Sequence, residues 1–220
     1  MPIAGKGMLL TSMDIDPDHE TDFNRWYDRE HLEERVAIEG FIEARRYVAI
    51  ESSMPKYLSL YSTETFEVLD SPAYRAALAN QTVWSKQNIA RFRNMIRGVA
   101  RITVSRGKGR GAALGIIRFR PARGNENLFR GALGEAFDPA SHDNIISMHL
   151  IENDAALSKS LADNPSTSPG TNDWFGLIDA TDVSPAHTAV RRLIDSMGFK
   201  SEVISNGVYR LLWDIAKTDI

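Results

Sequence analysis

Hydrophobic positions along the chain form short apolar runs that alternate with stripes of helical spacing. Gly7–Asp14 is an apolar run of the kind that buried strands have. A helix is predicted to start at Asp16-Pro17 and to end near Ile38, because an acceptor side chain and a proline both suit a first helical turn. The pattern then predicts two strands joined by a turn at Ser52–Pro55, a second helix opened by Ser71-Pro72, and a fourth strand: Phe41–Ile50, Lys56–Thr63, Ala73–Arg93 and Val99–Ser105.

The same order of elements begins again after Gly111. The second half is predicted to contain, in order, the strand Ala112–Arg120, the helix Asn125–Phe137, the strand Asn144–Ile151, a polar loop around Asn164–Thr171, the strand Asp173–Ala180, a helix from Ser184-Pro185 to about Gly198, and the strand Val208–Ile215. Each half has the β-α-β-β-α-β order of a ferredoxin-like unit. We therefore predict an α+β fold with one unit over residues 1–109 and a second over residues 110–220.

A ferredoxin-like sheet carries helices on one face only, so its other face needs cover. Two tandem sheets can cover each other and form an intramolecular dimeric α/β barrel. Side chains alternate along a strand, which predicts their direction. Residues predicted to face the helices are Leu58, Leu60, Ile102, Val104, Ile146, Met148 and Leu150. Residues predicted to face the barrel interior are Tyr57, Ser59, Tyr61, Arg101, Thr103, Ser147 and His149.

The first predicted helix concentrates the candidate chemistry. Phe23, Tyr27 and His31 recur every four residues and lie along one face, with Trp26 on an adjacent stripe. The aromatic residues have a plain explanation as the core face of an amphipathic helix. His31 lies near the carbonyl end of the helix, where a cation is favoured, so it is either a capping or salt-bridged histidine or a general acid/base.

These residues resemble a known family. The segment Asn24–His31 (NRWYDREH), followed by Gly40-Phe41, Ala44–Tyr47 (ARRY) and Lys56–Leu58 (KYL), is similar to the EthD-like group of dimeric α/β barrel proteins. The resemblance extends from about Met8 to Val104. The second half matches in layout only, because its first helix lacks the W-Y-x-x-E-H motif.

The resemblance implies a ligand pocket with the motif helix at its rim. His31 and Tyr27 are then the expected catalytic residues, and the chemistry is acid/base: isomerisation, cyclisation or cofactor-free oxidation of a small aromatic or polyketide-like compound. The residues expected to bind this molecule are Trp26, Arg45, Tyr47, Tyr57, Tyr61, Arg101 and His149. The alternatives are a non-catalytic ligand-binding or accessory protein, and a barrel that is packed shut and acts only through association.

Composition limits the other functions. The chain has 220 residues, 43% of them hydrophobic and 25% charged, with a formal net charge of -3 and no cysteine. These values exclude disulfides and cysteine-ligated metal, and they give no global reason to expect nucleic acid or a membrane surface as a partner. No apolar run reaches the ~20 residues that span a bilayer, so a cytoplasmic protein is expected. We expect a monomer with pseudo-two-fold symmetry or a homodimer.

Two remaining features of the sequence have simple interpretations. The arginine-rich stretch Arg91–Arg110 spans several elements, so its charges are expected to diverge, and Gly107–Gly111 is interpreted as a flexible linker. The five histidines are scattered, which predicts no metal site. We expect no cofactor, with haem bound by His149 or His187 as the alternative.

Overall fold

The computed structural model describes residues 3–50, 55–159, 171–197 and 201–220. The strands are β1 (Gly7–Asp14), β2 (Phe41–Ala49), β3 (Tyr57–Thr63), β4 (Arg93–Gly107), β5 (Ala113–Pro121), β6 (Ile145–Asn153), β7 (Trp174–Ala180) and β8 (Ser201–Ala216). The α-helices are α1 (Pro17–Trp26), α2 (Leu32–Ala37), α3 (Pro72–Ala79), α4 (Val83–Ile89), α5 (Glu126–Ala136) and α6 (Val183–Met197). A π-helical turn (Tyr27–His31) joins α1 to α2, and short 3-10 helices cover Phe66–Asp70, Pro139–Ser141 and Lys217–Asp219.

The strands close into one antiparallel barrel in the order β1-β3-β2-β8-β5-β7-β6-β4. Each half contributes a ferredoxin-like sheet, β4-β1-β3-β2 from the first and β8-β5-β7-β6 from the second. The pairs β2–β8 and β4–β6 join the two sheets. The predicted fold class, two tandem ferredoxin-like units that form an intramolecular barrel, is confirmed. The boundary between residues 109 and 110 stays a prediction, within the connection from Gly107 to Ala113.

The second helix of the first unit and the last strand differ from the prediction. The continuous helix Ala73–Arg93 is wrong, because α3 ends at Ala79 and α4 starts after Thr82, whose side chain caps it. Arg93 already belongs to β4, and β8 begins earlier than predicted. The predicted turn at residues 52–54 and loop at residues 164–170 lie outside the described residues. Among the described residues, no helix is long and apolar enough to cross a membrane.

The predicted direction of the β3 side chains is wrong. Leu58 and Leu60 belong to the apolar cluster inside the barrel, whereas Tyr57 and Tyr61 pack with Phe23 in the core between the helices and the first sheet. Every residue of β3 is buried, so polarity does not distinguish its two faces. The tyrosines point toward the helices, where the Tyr57 ring packs against the ring of Phe23 on α1.

The side-chain directions predicted from alternation are mostly wrong in β4 and mostly right in β6. Arg101 is exposed outside the barrel, and Ile102 packs against the interior cluster. The pairing of β4 with β6 is irregular between Ile102 and Val104, and this bulge returns Val104 to the helix side. In β6, Met148 and Leu150 face the helices as predicted, but Ile145 packs against the helix-side cluster in place of the predicted Ile146, because the pairing of β6 with β7 is irregular between Ile145 and Ser147. Thr103 was also predicted to face inward and is exposed instead.

Side chains fill the barrel interior. The buried apolar cluster there consists of Ile3, Met8, Leu10, Tyr47, Leu58, Leu60, Ile96, Ala100, Leu114, Ile116, Ile151, Phe175, Leu177 and Tyr209. Across the described residues, the interior is therefore a packed core, and a ligand site has to lie between the sheets and their helices or on the outer surface.

A buried charged group lies inside the same barrel. The Arg45 guanidinium is 3.0 Å from Glu43 and 3.5 Å from Asp179, and all three side chains are at most 3% exposed. Arg110 pairs with Glu43 and, at 2.7 Å, with Asp214. The interpretation of Gly107–Gly111 as a flexible linker is wrong, because these ion pairs fix the connection between the units.

Replacing Leu60 with alanine tests the packed interior. The cavity left inside the barrel is expected to lower the free energy of unfolding by about 2–5 kcal/mol. Leu128→Ala is the matched control, because Leu128 is 67% exposed on α5 and its loss is expected to cost less than about 0.5 kcal/mol. Urea unfolding measures both values. Equal values for the two variants would contradict the packed interior.

Candidate functional site

The W-Y-x-x-E-H motif includes the π-helical turn between α1 and α2. Trp26 ends α1, and Tyr27–His31 form a π-helical turn, a rare form that is frequent at functional sites. The wide turn brings two stripes of the predicted helix together. The His31 ring is 4.2 Å from Trp26 and 5.1 Å from Tyr27, measured between ring centroids. Nothing in the sequence signals this turn.

Buried polar atoms surround His31. We name the residues around it the His31 cluster: Trp26, Tyr27, His31, Arg35, Ser59 and Tyr61. Within the described part of the chain, His31 Nδ1 and Arg35 Nη1 have no hydrogen-bond partner, whereas the Tyr61 hydroxyl interacts with the hydroxyls of Tyr27 and Ser59. An unpaired buried polar atom costs about 1–3 kcal/mol, so such atoms call for a functional explanation.

His31 is neutral in this environment. Burial, followed by the positive charges of Arg35 and Arg46, holds the pKa of His31 well below its usual range. Of the two alternatives for His31, the charged capping or salt-bridged histidine is disfavoured, because burial and the two arginines oppose its protonated form more than the helix end favours it. Burial and the neighbouring Tyr27 raise the pKa of Tyr61 well above its usual value. The His31 cluster therefore combines a neutral imidazole with the protonated phenol of Tyr61.

Glu30 of the motif has a positioning role. Its Oε1 accepts hydrogen bonds from Trp26 Nε1 at 3.2 Å, Thr82 Oγ1 at 2.6 Å and Ser85 Oγ at 3.2 Å. These bonds connect the π-helical turn to the first turn of α4. Because Trp26 packs on the His31 ring, Glu30 also fixes the wall of the His31 cluster.

Arg46 forms the boundary between the His31 cluster and the outside. Its guanidinium lies 4.5 Å from the Tyr27 ring centroid and 5.2 Å from that of Tyr57. Asp28 Oδ1 accepts from it at 2.7 Å, and Asn24 also accepts. Sequence reasoning selected Arg45 and missed Arg46. The Arg45-Arg46 pair could have indicated it, because adjacent strand residues face opposite sides and one of the two arginines therefore has to lie on the helix side of the sheet.

An open cleft of ≈ 410 Å³ lies outside the barrel, beside Arg46. We name it the β2–β8 cleft. It is lined by Glu20, Asn24, Asp28, Arg46, Val48, Lys56, Tyr57, Arg210, Leu212 and Trp213. Of the residues that the sequence suggested for binding, Tyr57 alone is among these. Its hydroxyl donates to Glu20 and accepts from Asn24 Nδ2 at 3.3 Å.

Three predicted binding residues are inside the barrel. Arg45 belongs to the buried ion pairs, and burial raises the pKa of the neighbouring Tyr47. His149 Nδ1 is 2.9 Å from Ser105 Oγ, and its Nε2 is 3.0 Å from Ser147 Oγ. Burial and the Arg45 charge lower the pKa of His149 to about 3. These groups are separated from the His31 cluster by the first sheet.

Arg101 is at a third location. It packs over the Phe66 ring at 3.6 Å and lies 3.4 Å from Glu67 on the outer surface. The predicted site residues therefore do not share one pocket. The structure brings together Trp26, Tyr27, His31 and Tyr61, with Tyr57 at the adjacent cleft, and their roles stay predictions.

The arginines of the basic stretch diverge as expected. Arg91 pairs with Asp22 and Arg93 with Asp16, on the side of α1 and α4, whereas Arg110 pairs inside the β2–β8 junction. They do not form one basic surface. In the described part of the chain, no group of three or more histidine, aspartate or glutamate residues is placed to hold a metal ion.

The closed barrel of two ferredoxin-like sheets defines the chain as a protein of the dimeric α/β barrel fold. Its structure is similar to that of a solved anthrone oxidase-like protein, with a TM-score of 0.69 and 9% sequence identity. The match covers 100% of this chain and 98% of the other. A "putative monooxygenase" from Fusobacterium nucleatum gives a TM-score of 0.60 at 11% identity, covering 97% and 95% of the two chains. A heme-binding protein from Thermus thermophilus gives 0.50 at 11% identity, with the same coverage.

At these identities the similarity shows the fold alone. The sequence matches no protein-family model and no curated protein.

The neutral His31 ring predicts a pH dependence of stability. Its folded-state pKa lies below the ordinary value of 6.5, so the unfolded chain binds the proton first as the pH falls. The stability is fully present above that value and is lost below it, with a slope of up to about 1.4 kcal/mol per pH unit for each such ring. His149 contributes in the same direction.

Urea unfolding of the wild type and His31→Gln between about pH 7.5 and about pH 5.5 measures this slope. We expect the variant to have a shallower slope, because one of the two buried neutral rings is gone. His19→Gln is the matched control at the start of α1 and is expected to keep the wild-type slope. An unchanged slope in His31→Gln would show that His31 is accessible and charged.

Proposed function

We propose that the first unit is a small-molecule enzyme of EthD-like type that uses acid/base chemistry. The observation that carries the proposal is a buried, neutral His31 whose Nδ1 has no hydrogen-bond partner among the described residues and whose ring packs against Tyr27 and Tyr61. The second unit is different on its helix side, where Phe119, Phe129, Leu133 and Trp174 form an apolar core. In this proposal, residues 1–109 hold the catalytic groups and residues 110–220 supply a wall of the binding site.

The proposed chemistry is proton abstraction. A neutral His31 can accept a proton from an acidic O–H or C–H group of a bound molecule. The hydroxyl of Tyr61, whose pKa is raised by burial, is a protonated donor, and together with the hydroxyl of Tyr27 it would stabilise the oxygen on which the negative charge develops. A small aromatic or polyketide-like ketone fits this chemistry. The similarity to an anthrone oxidase-like protein supports that substrate class, because an anthrone is an aromatic ketone with an acidic C–H.

The proposed entrance is the β2–β8 cleft. Arg46 lines the cleft and contacts the Tyr27 ring, which in turn packs against His31. A movement of the Arg46 side chain would therefore connect the cleft to the His31 cluster. The packed interior does not oppose this route, because Tyr57 and Tyr61 face the helices instead of the barrel interior.

The alternative is a non-catalytic binding protein. It is favoured by one observation: His31 is not among the residues that line the β2–β8 cleft. In this alternative a molecule stays in the cleft, and the His31 cluster only supports the wall formed by Arg46 and Tyr27.

Haem is the cofactor alternative, supported by the fold of a heme-binding protein. His149 does not fit, because both ring nitrogens are hydrogen-bonded to serines and the side chain is 0% exposed. His187, the other histidine of this alternative, lies on α6 beside a groove of ≈ 430 Å³ that Val190 and Ile194 also line. A Soret band after incubation with hemin, lost in His187→Ala, would support haem binding.

Turnover of anthrone tests the proposed function. The wild type is expected to accelerate the oxidation of anthrone by dissolved O2 to anthraquinone and water, in which the carbanion left by proton abstraction is the group that O2 oxidises. His31→Gln is expected to be slower by about 100-fold to about 10,000-fold, because the general base is removed. Oxygen uptake and the absorbance of the product measure the rate.

His187→Gln is the matched control and is expected to retain the wild-type rate, because it lies in the other unit. Binding of anthrone without turnover by the wild type would favour the non-catalytic alternative. Equal rates for the wild type and His31→Gln would refute the role of His31.

A further inference from the structure

We propose that the β2–β8 cleft recognises an aromatic carboxylate, with the acid held by Arg210 and the ring by Trp213. Both residues belong to β8, in the second unit. The inference deepens the proposed function by adding a carboxylate to the aromatic ketone proposed there, and it rests on that function for the reaction but not for binding.

A β-bulge builds the aromatic side of the cleft. Tyr47 pairs with Leu211 and Arg46 pairs with Trp213, so Leu212 is an extra residue in β8. Arg210 lines the cleft and Leu211 packs against the barrel interior, as alternation requires. With regular alternation, Leu212 would face the cleft and Trp213 the interior. The bulge instead places both side chains at the cleft, where they are 37% and 41% exposed.

Adjacent exposed side chains of this size indicate a binding surface. Leu212, Trp213 and Val48 form the apolar part of the cleft lining. Leaving two large apolar side chains in water forgoes the stabilisation that burial would provide, and such patches mark ligand or partner sites. The volume of ≈ 410 Å³ lies within the range of about 300–1,000 Å³ for small-molecule sites. A single flat aromatic ring system stacked on the Trp213 indole fits this shape.

The charges of the cleft select an anion. Lys56 pairs with Glu20, and Arg46 pairs with Asp28 at 2.7 Å, so these four charges compensate each other. Arg210 forms no ion pair with any residue in the described ranges. It lies on the outer face of β8 and is exposed. A guanidinium in this position can bind a carboxylate through two parallel hydrogen bonds.

The cleft combines elements of both units. α1, β2 and β3 supply one side, and β8 supplies Arg210, Leu212 and Trp213. Neither ferredoxin-like unit alone contains both the wall formed by Arg46 and the surface formed by Trp213. The second unit, which lacks the W-Y-x-x-E-H motif, therefore supplies the residues that select the ligand for the first unit.

Calorimetric titration of the full chain with naphthoate and with its neutral isostere naphthamide tests the charge selection. The wild type is expected to bind naphthoate about fivefold more tightly than naphthamide, the value for a solvent-exposed ion pair. Arg210→Gln is expected to remove this preference and to leave naphthamide binding unchanged. Arg191→Gln, at the groove beside α6, is the matched control and is expected to keep the preference. Equal binding of the two probes by the wild type, or a preference that survives in Arg210→Gln, overturns the proposal.

Substitution of Trp213 tests the ring contact separately. Trp213→Ala is expected to weaken both probes about fivefold, because ring stacking does not depend on the charge of the ligand. Trp213→Phe is expected to retain most of the affinity. Unchanged binding by Trp213→Ala overturns the assignment of the ring to this surface.

The two proposals fail independently. Naphthoate binding is measured without turnover, so loss of the charge preference removes the carboxylate assignment and leaves the result for His31 intact. If the wild type turns over anthrone slowly but prefers naphthoate to naphthamide through Arg210, the proposed reaction is refuted and the proposed binding site is supported.

Discussion

Each ferredoxin-like sheet in this chain has one face that its own helices do not reach, and the two sheets close on each other to bury those faces. The pairs β2–β8 and β4–β6 complete this closure, so every described strand of the barrel pairs with a neighbour on each side over at least part of its length. The interior then fills with aliphatic and aromatic side chains around the Arg45 ion pairs. This filling leaves two kinds of place for chemistry: the layer between each sheet and its helices, and the outer seams where the sheets join.

The two units use the layer between helices and sheet in opposite ways. In the second unit it is an ordinary apolar core built from Phe119, Phe129 and Leu133. In the first it contains the neutral imidazole of His31 on a π-helical turn, together with the hydroxyls of Tyr27 and Tyr61. Because the same architecture forms with the apolar version, the polar version is not required for folding.

Periodicity was enough to predict the order of elements, the repeat and the barrel. It was not enough for side-chain direction, and the strands show why. In β6, Ser147 and His149 alternate with Met148 and Leu150, so one face was visibly polar and the prediction succeeded. In β3 both faces are buried, and a tyrosine can pack on either face, so the sequence does not show which face is turned toward the helices. The His31 helix was found from its residues, whereas the contribution of Trp213 depends on a single bulge that no local residue pattern encodes.

The closure of the barrel also has a consequence for the history of the chain. Each sheet ends in two strands, β2 and β4 in one and β6 and β8 in the other, whose free sides are covered only by the other sheet. A half-chain would therefore present two unsatisfied hydrogen-bonding edges, and a second identical half has the same complementary pair. Separate identical halves could assemble by this geometry with two equal clefts. Two halves joined in one chain no longer have to be identical, and here only the first carries the His31 cluster, whereas the last strand of the second places Trp213 at the cleft.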